Sequence, residues 1–288
     1  MRLLKIEFKK IVGNKSFKVF SLMFLVFLPA LAILAPLFVN FDINGEDFYP
    51  FIPSDYEASW YAISFISSWF CFFLLSFILI YHITNEYTYR TVRQNVIDGF
   101  NRNDYIKGKV YLMLTLLGLA TLYVFFIGII GGLIFSSYEP KDPTMIQEFF
   151  KAMEGDELEF DNSSFGNLFD GVENIIRFFI QCLGGFSIAF LVAFLVKRGI
   201  LAVLIFYGYF LIEKIGGAIF YNNGMESLVD FLPTFSFVNV LPYPSLMKLL
   251  SGISSPESFD WMAIGLTLLY SLAAIFLAKR LFMKRDIS

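Results

Sequence analysis

Histidine and cysteine are scarce in this sequence of 288 residues, and a phosphate-binding loop is absent. His82 is the only histidine, which excludes the H-E-x-x-H motif of metalloproteases. Cys71 and Cys182 lie in separate apolar runs, so we interpret them as small core residues, which supports neither a disulfide framework nor a zinc site. Gly108-Lys109 lacks the upstream glycine and the following hydroxyl of the G-x-x-x-x-G-K-S/T loop. The sequence therefore predicts no catalytic, cofactor or metal site in this chain, and no ATP hydrolysis by the chain alone.

Charged residues are also scarce, at 16% of the chain, whereas 57% of the residues are hydrophobic. The hydrophobic residues are gathered into runs, and a helix needs about 20 apolar residues to cross a bilayer. Six runs are long enough: Phe17–Val39, Trp60–Ile83, Val110–Phe135, Ile175–Val196, Gly199–Phe220 and Trp261–Ala278. The sequence therefore predicts an all-α polytopic membrane protein with six transmembrane helices, in a single domain that covers residues 1–288.

Lysine and arginine are concentrated in alternate connectors. They precede span 1, lie between spans 2 and 3 and between spans 4 and 5, and follow span 6, whereas the other connectors are acidic. Because loops rich in basic residues stay in the cytosol, both termini and the 84–109 connector are predicted to be cytosolic. The acidic loop 136–173 and the connector 221–260 are then extracytoplasmic. Pro233, Pro242 and Pro244 interrupt the second of these, which predicts a re-entrant segment or a pair of interfacial helices.

Residues 1–15 are predicted to form an amphipathic helix. Its apolar side carries Leu4, Phe8, Ile11 and Val12. Its basic side carries Arg2, Lys5 and Lys9. Such a helix lies in the interface of the inner leaflet, with its basic residues near anionic headgroups. The alternative is an ordinary basic flank that only sets the orientation of span 1.

The connector between spans 2 and 3 is predicted to contain a helix from Glu86 to Asp98. Its apolar face has three- and four-residue spacing and consists of Tyr89, Val92, Val96 and Phe100. Its exposed face consists of Arg90, Arg93, Gln94 and Asn95. Glu86 precedes Arg90 by four residues, the favourable order for an exposed helical ion pair, and Gly99 is placed to end the helix. The alternative is a solvated helix whose charges only set the topology.

This connector resembles the one between the second and third spans of ABC-2 type transporter permeases. The resemblance is carried by Glu86 near the end of span 2, by the segment Tyr89-Arg90-Thr91-Val92-Arg93-Gln94-Asn95, by Asp98-Gly99, and by Arg102 before a lysine-flanked third span. The six-span layout, the cytosolic termini, the basic N-terminal helix and the broken apolar connector before span 6 are also similar to that family.

The resemblance implies that the chain is the permease subunit of a bacterial ABC-2 type exporter in the plasma or inner membrane. In that family the connector docks on a separate ABC ATPase subunit, which binds ATP and Mg²⁺, and two permease halves form the path. The partners implied are that ATPase, a second copy or a homologue of the chain, and the lipid bilayer, with no nucleic acid. The coupling residues implied are Glu86, Arg90, Thr91, Arg93, Gln94, Asn95, Asp98, Gly99 and Arg102.

Two other function classes remain open on the residues alone. An ATPase-independent secondary transporter or channel needs ionisable residues at mid-membrane, and Glu213 is the only acidic candidate. An intramembrane enzyme of the Ser-His type needs His82 at membrane depth opposite a serine. His82 is instead predicted to lie at the cytosolic edge of span 2, where an interfacial role with no chemistry is expected.

Four polar residues within spans 4 and 5 form a candidate intramembrane cluster: Arg177, Gln181, Glu213 and Lys214. Charged groups at depth usually face a cavity or a partner, so these side chains are candidates for lining an outward cavity. In the alternative interpretation, Arg177 and Lys214 extend to the outer interface while Glu213 pairs locally.

Overall fold

Helices form almost all of the part of the chain that the computed structural model describes, which is residues 2–34, 41–43, 46–48, 56–89, 91, 101–136, 170–241 and 260–284. Numbered in chain order, the helices are α1 (Arg2–Val12), α2 (Lys15–Pro29), α3 (Tyr56–Phe70), α4 (Ser76–Thr88), α5 (Arg102–Ser136), α6 (Asp170–Leu195), α7 (Gly199–Asn222), α8 (Glu226–Val229), α9 (Pro233–Asn239) and α10 (Trp261–Lys284). A π-helical turn at Ala30–Leu34 continues α2, and another at Cys71–Leu75 joins α3 to α4.

Six stretches of these helices are long and apolar enough to cross a membrane: span 1 (Lys15–Leu34), span 2 (Ala62–Thr88), span 3 (Arg102–Ile134), span 4 (Gly171–Leu195), span 5 (Gly199–Asn222) and span 6 (Trp261–Lys284). This confirms the prediction of a multi-pass α-helical membrane protein. Span 3 begins at Arg102 rather than at Val110, and the N–H groups of Asp104 and Tyr105 already bond to the carbonyl of Asn101. Its first turns are polar, and other helices of the protein supply partners for their side chains.

A short β-hairpin lies between spans 1 and 2 and was not predicted from the sequence. Its antiparallel strands, β1 (Phe41–Ile43) and β2 (Glu46–Phe48), place Phe41 opposite Phe48. The connector between spans 5 and 6 contains the short helices α8 and α9 within the described part.

Helix α1 packs on the first turns of span 3, at the end of the bundle where the C-terminal ends of spans 2 and 6 also lie. We call this end of the bundle the α1 end. Glu7 and Ile11 are buried there, whereas Phe8 and Val12 are exposed, as is Lys9. Ile11 was predicted on the same apolar side of α1 as Phe8 and Val12, but it packs on the bundle with Glu7 while the other two are exposed.

Two tyrosine hydroxyls satisfy backbone carbonyls at irregular points of the spans. Pro29 has no N–H, so the Leu25 carbonyl lacks its helical donor, and Tyr123 of span 3 donates to it over 2.5 Å. In the π-helical turn of span 2, Tyr207 of span 5 donates to the Phe73 carbonyl over 2.5 Å. An unpaired carbonyl is costly in apolar surroundings, so Tyr123 supplies the donor that the Leu25 carbonyl lacks, and the two bonds join span 3 to span 1 and span 5 to span 2.

Span 4 is the central helix of the bundle and packs against spans 2, 3 and 6. Four of its phenylalanines are fully or almost fully buried: Phe178, Phe186, Phe190 and Phe194. Spans 1 and 5 lie at the periphery, and much of their apolar surface is exposed. Apolar exposure on this scale is expected of helices whose solvent is lipid rather than water.

Trp60 of α3 fixes the spacing of three helices at the end of the bundle opposite to α1. Its side chain is fully buried, and a Cβ atom at Gly128 of span 3 or at Gly171 of span 4 would overlap the indole ring. Glycine is therefore needed at both positions, because only glycine leaves room for the ring at this approach of the backbones.

Candidate functional site

Four ionisable side chains that are far apart in the sequence meet at the α1 end. They are Glu7 of α1, His82 and Glu86 of span 2, and Lys109 of span 3, and we call them the charge cluster. All four are buried, and Lys109 is completely inaccessible. Since burying an isolated charge costs several kcal/mol, the position of each group depends on the others.

Lys109 is the centre of the cluster. Its Nζ atom forms an ion pair with Glu7 Oε2, lies 2.9 Å from Glu86 Oε1 and lies 3.1 Å from His82 Nε2. An ammonium group has three N–H donors and no acceptor, and two carboxylate oxygens and one imidazole nitrogen surround it here. The desolvation of a fully buried lysine is thereby compensated by three contacts.

Lys10 and Tyr105 complete the surroundings of the two carboxylates. Lys10 Nζ lies 3.5 Å from Glu7 Oε1 and 3.3 Å from Glu86 Oε1. Tyr105 donates its hydroxyl proton to Glu86 Oε2 over 2.6 Å. Two carboxylates and two ammonium groups then balance each other in charge.

His82 Nε2 lies between two charged neighbours, 3.1 Å from Lys109 Nζ and 3.3 Å from Glu7 Oε2. When Nε2 carries a proton it donates to Glu7, and when it does not it accepts from Lys109. Burial raises the pKa of the Glu7 carboxyl, but the hydrogen bond to His82 and the charges of Lys109 and Lys10 outweigh burial and lower this pKa to about 2. Glu7 is therefore ionised at neutral pH.

Helical spacing explains why these residues meet. His82 and Glu86 are four residues apart on span 2, and Tyr105 and Lys109 are four apart on span 3, so each helix directs a pair of polar groups to one point. Glu7 is the only acidic residue in the first fifteen. A Cβ atom at Gly108 would lie 3.3 Å from Glu7 Cγ, so glycine keeps α1 close to span 3.

The sequence analysis did not identify Glu7, Lys109 or Tyr105 as site residues, and it gave His82 no chemistry. The signals were present in the sequence as the two polar pairs at four-residue spacing near the ends of predicted spans. The partners are 75 residues apart for His82 and Glu7 and 102 apart for Lys109 and Glu7. Sequence spacing alone therefore did not reveal that the pairs meet.

The structure describes three of the nine residues predicted to couple to an ATPase. Glu86 was expected in an exposed pair with Arg90, but it is buried against Lys109, Lys10 and Tyr105, so the expectation of exposure is wrong. Thr91 donates its hydroxyl to the Glu86 carbonyl over 3.2 Å. The third described residue is Arg102. The other six predicted coupling residues lie outside the described residues: Arg90, Arg93, Gln94, Asn95, Asp98 and Gly99.

Arg102 and Tyr105 attach the start of span 3 to the end of span 6. Arg102 donates from its guanidinium to the Met283 carbonyl over 3.1 Å. Tyr105 stacks on Phe282 with ring centroids 5.0 Å apart and planes 17° apart. The segment that leaves the connector is therefore bonded to α1, span 2 and span 6 together.

The candidate intramembrane cluster is not assembled as one site, because its members have separate partners. Glu213 accepts hydrogen bonds from the Thr234 N–H at 2.7 Å and from the Thr234 hydroxyl at 2.5 Å. Thr234 lies in the first turn of α9, and the preceding Leu232 has no oxygen in its side chain, so Glu213 of span 5 caps this helix from outside. The partner of Glu213 is therefore a residue of α9, 21 positions further along the chain, which neither interpretation named.

The remaining members of that cluster are engaged elsewhere. Arg177 forms an ion pair with Glu173 one turn away on α6, and its burial contradicts an extension to the surface. Lys214 Nζ lies 4.2 Å from the centroid of the Phe235 ring, a cation–π distance. Gln181 lines a cavity between spans 2, 4 and 5 and α9.

The chain matches no protein-family model, and no curated protein is significantly similar to it in sequence. Functional interpretation therefore rests on the charge cluster and on the connector whose two ends the cluster joins.

Proposed function

We propose that the chain is the membrane-spanning permease subunit of an ATP-driven ABC-2 type exporter, coupled to a separate ATPase subunit through the 84–109 connector. The observation that carries this proposal is that the charge cluster joins the two ends of the connector. Glu86 lies at its start, and Tyr105 and Lys109 lie at its end. Both ends are bonded to α1 through Glu7 and Lys10.

A connector that only sets topology does not need this arrangement. Exposed lysines and arginines are sufficient to orient spans, whereas buried ions carry a desolvation cost that an apolar contact avoids. A docking segment must transmit force to the spans, and for this its ends need a defined geometry. The buried ion pairs supply that geometry at the place where the connector enters and leaves the bundle.

In the proposed mechanism, the partner ATPase binds ATP and Mg²⁺ and presses on the connector. The force reaches spans 2 and 3 through the contact between Glu86 and Lys109, and it reaches α1 through Glu7. Arg102 and Tyr105 pass it to the end of span 6. The spans then alternate between inward and outward access, with a second copy or a homologue forming the other half of the path.

The charge distribution supports a cytosolic position for this machinery. With basic connectors inside, the α1 end faces the cytosol of a bacterial cell, both termini are cytoplasmic, and the chain resides in the plasma or inner membrane. The chain carries no ATP-binding loop, so its own role is transport rather than hydrolysis.

One structural observation supports the alternative, an ATPase-independent secondary transporter or channel. His82, Glu7 and Glu86 supply titratable groups that such a transporter needs. His82 is six residues from the end of α4, about 9 Å along the helix, and α1 covers the group. This places the cluster near one end of the bundle rather than at its middle, which favours the coupling role.

The deciding experiment is reconstitution with a phosphate-loop ATPase encoded beside the gene for this chain. We expect the ATPase to co-purify with the chain and its turnover to change when the chain is present in proteoliposomes. The matched control is the Lys279→Ala/Arg280→Ala variant, which alters exposed basic residues at the α1 end away from the connector. A failure of every neighbouring ATPase to bind, together with transport that needs no ATP, would establish the alternative.

A further inference from the structure

The charge cluster contains the ligand set of a metal site. One carboxylate oxygen from Glu7, one from Glu86 and a ring nitrogen of His82 all lie within 4.8 Å of one another, and all three residues are buried. Two carboxylates and one imidazole form a donor set that suits divalent transition-metal ions such as Zn²⁺, Co²⁺ and Mn²⁺.

The Lys109 ammonium lies among these three donors. Its nitrogen is 2.9 Å from Glu86 Oε1 and 3.1 Å from His82 Nε2, and it pairs with Glu7 Oε2. Metal–ligand bonds to oxygen and to imidazole nitrogen are about 2.0–2.2 Å long. Glu86 Oε1 and His82 Nε2 therefore need to move inward by about 1 Å to bind an ion at this point, whereas the paired oxygen of Glu7 is already close. Glutamate side chains have three rotatable bonds and accommodate such a movement.

We propose that this is a cation site whose resident cation is the protein's own Lys109 ammonium, and that the same three ligands bind a divalent transition-metal ion when that ammonium is removed. In the natural chain the ammonium attaches α1 to span 2, as a structural metal does in other proteins. The Lys109 side chain of span 3 thus fills the site. A metal ion does not bind in the natural chain because the ammonium group occupies its position, although the ligands are present.

The charges agree with this assignment. Without the ammonium, two buried carboxylates face each other, and one divalent ion neutralises both. Lys10, whose side chain is 33% exposed, has space to turn toward solvent when the ion arrives. Among the described residues three supply ligands, so water completes the coordination in the volume that the lysine side chain leaves. The imidazole nitrogen favours Zn²⁺ and Co²⁺ over Mg²⁺ and Ca²⁺, which prefer oxygen ligands.

The test uses the full chain in detergent, with Lys109→Ala as the variant and Co²⁺ as the probe. We expect Lys109→Ala to show visible Co²⁺ absorption bands with one ion per chain, and Zn²⁺ to raise its melting temperature by several degrees. Mg²⁺ is expected to do neither. The natural chain is expected to show no bands and no thermal shift with the same ions.

The matched control is Lys109→Ala/His82→Asn, which keeps the cavity but loses the imidazole ligand, and its bands are expected to be lost. Three results overturn the proposal: folded Lys109→Ala without bands, equal bands in the natural chain, or bands that persist in the double variant. If Lys109→Ala does not fold unaided, Zn²⁺ in the growth medium restores the yield if the proposal is right. An unchanged yield in Zn²⁺ contradicts it.

Discussion

The Tyr105 hydroxyl lies 2.6 Å from Glu86 Oε2, and this bond joins two residues on opposite sides of the 84–109 connector. The two residues are 19 apart in the chain. A charge-assisted hydrogen bond therefore joins the end of span 2 to the start of span 3, on either side of the segment between them. The proposed coupling role depends on this bond.

Tyr105→Phe removes the bond while keeping the ring stacked on Phe282. Glu86 then loses one donor in a buried position, and hydrogen bonds to charged groups contribute about 1.5–3 kcal/mol. We expect a lower melting temperature for Tyr105→Phe, measured in detergent by intrinsic tryptophan fluorescence. The control is Tyr111→Phe, at an exposed tyrosine of the same helix, and an equal loss in both variants would contradict the role of this bond.

Lys109→Met is expected to lower the free energy of unfolding by about 3–5 kcal/mol, because it leaves two buried carboxylates without their central cation. Glu7→Gln removes one of those carboxylates, so the double variant should lose less stability than the two single variants add up to. A coupling energy of about 0.5–3 kcal/mol is expected from the cycle. Lys107→Met, an exposed lysine two residues earlier, serves as the control and should leave the melting temperature nearly unchanged.

Acid should weaken the attachment of α1 through Glu7. The pKa of this carboxyl is lowered to about 2 in the folded chain, so its contribution to stability is present above its unfolded pKa of about 4.5 and is lost as the pH falls toward 2. We expect the difference in melting temperature between the natural chain and Glu7→Gln to shrink between pH 4.5 and pH 2. A difference that stays constant over this range would show that Glu7 is not paired as described.

Arg90 and Arg93, which the sequence analysis assigns to the exposed face of the connector helix, are expected to act on a partner rather than on the fold. Arg90→Ala/Arg93→Ala should leave expression nearly intact, because surface changes have small effects on stability, and should weaken ATPase binding or uncouple ATP turnover from transport. Arg90→Lys/Arg93→Lys separates docking from topology, since an ammonium does not replace a bidentate guanidinium. Normal binding and transport by both double variants would exclude docking through these residues.

Orientation is tested by labelling single cysteines in a Cys71→Ala/Cys182→Ala background. An impermeant thiol reagent on intact cells should label Asp156→Cys in the acidic loop and should not label Asn95→Cys in the connector. The reverse pattern would invert the proposed topology and move the α1 end out of the cytosol.

The six spans were predictable from the sequence because each is a run of about 20 apolar residues, and the bilayer selects for such runs. The charge cluster was not, because Glu7, His82 and Lys109 come from three helices whose relative rotation the sequence does not specify. Helical spacing predicts that His82 and Glu86 share a face. It does not predict that α1 turns Glu7 toward that face, which depends on how closely Gly108 lets the helices approach.

The partner of Glu213 was likewise not predictable from the sequence. Its position in an apolar run marked it as a group in need of a partner, and its height on span 5 suggested Arg177 and Gln181 of span 4. The true partner, Thr234, lies on a short helix after a turn, and its docking against span 5 depends on tertiary packing. A Cβ atom at Gly217 would overlap the Phe235 ring, so glycine in span 5 opens the space into which α9 fits.

The cap that Glu213 provides also sets an order for assembly during synthesis. Glu213 enters the membrane as part of span 5, and Thr234 leaves the ribosome 21 residues later. Until Thr234 has been made, the Glu213 carboxylate lacks the N–H and hydroxyl donors of that residue. The N–H of Thr234 in turn lacks the carboxylate acceptor until α9 contacts span 5. The bonds between Glu213 and Thr234 therefore form only after both span 5 and the first turn of α9 have been made.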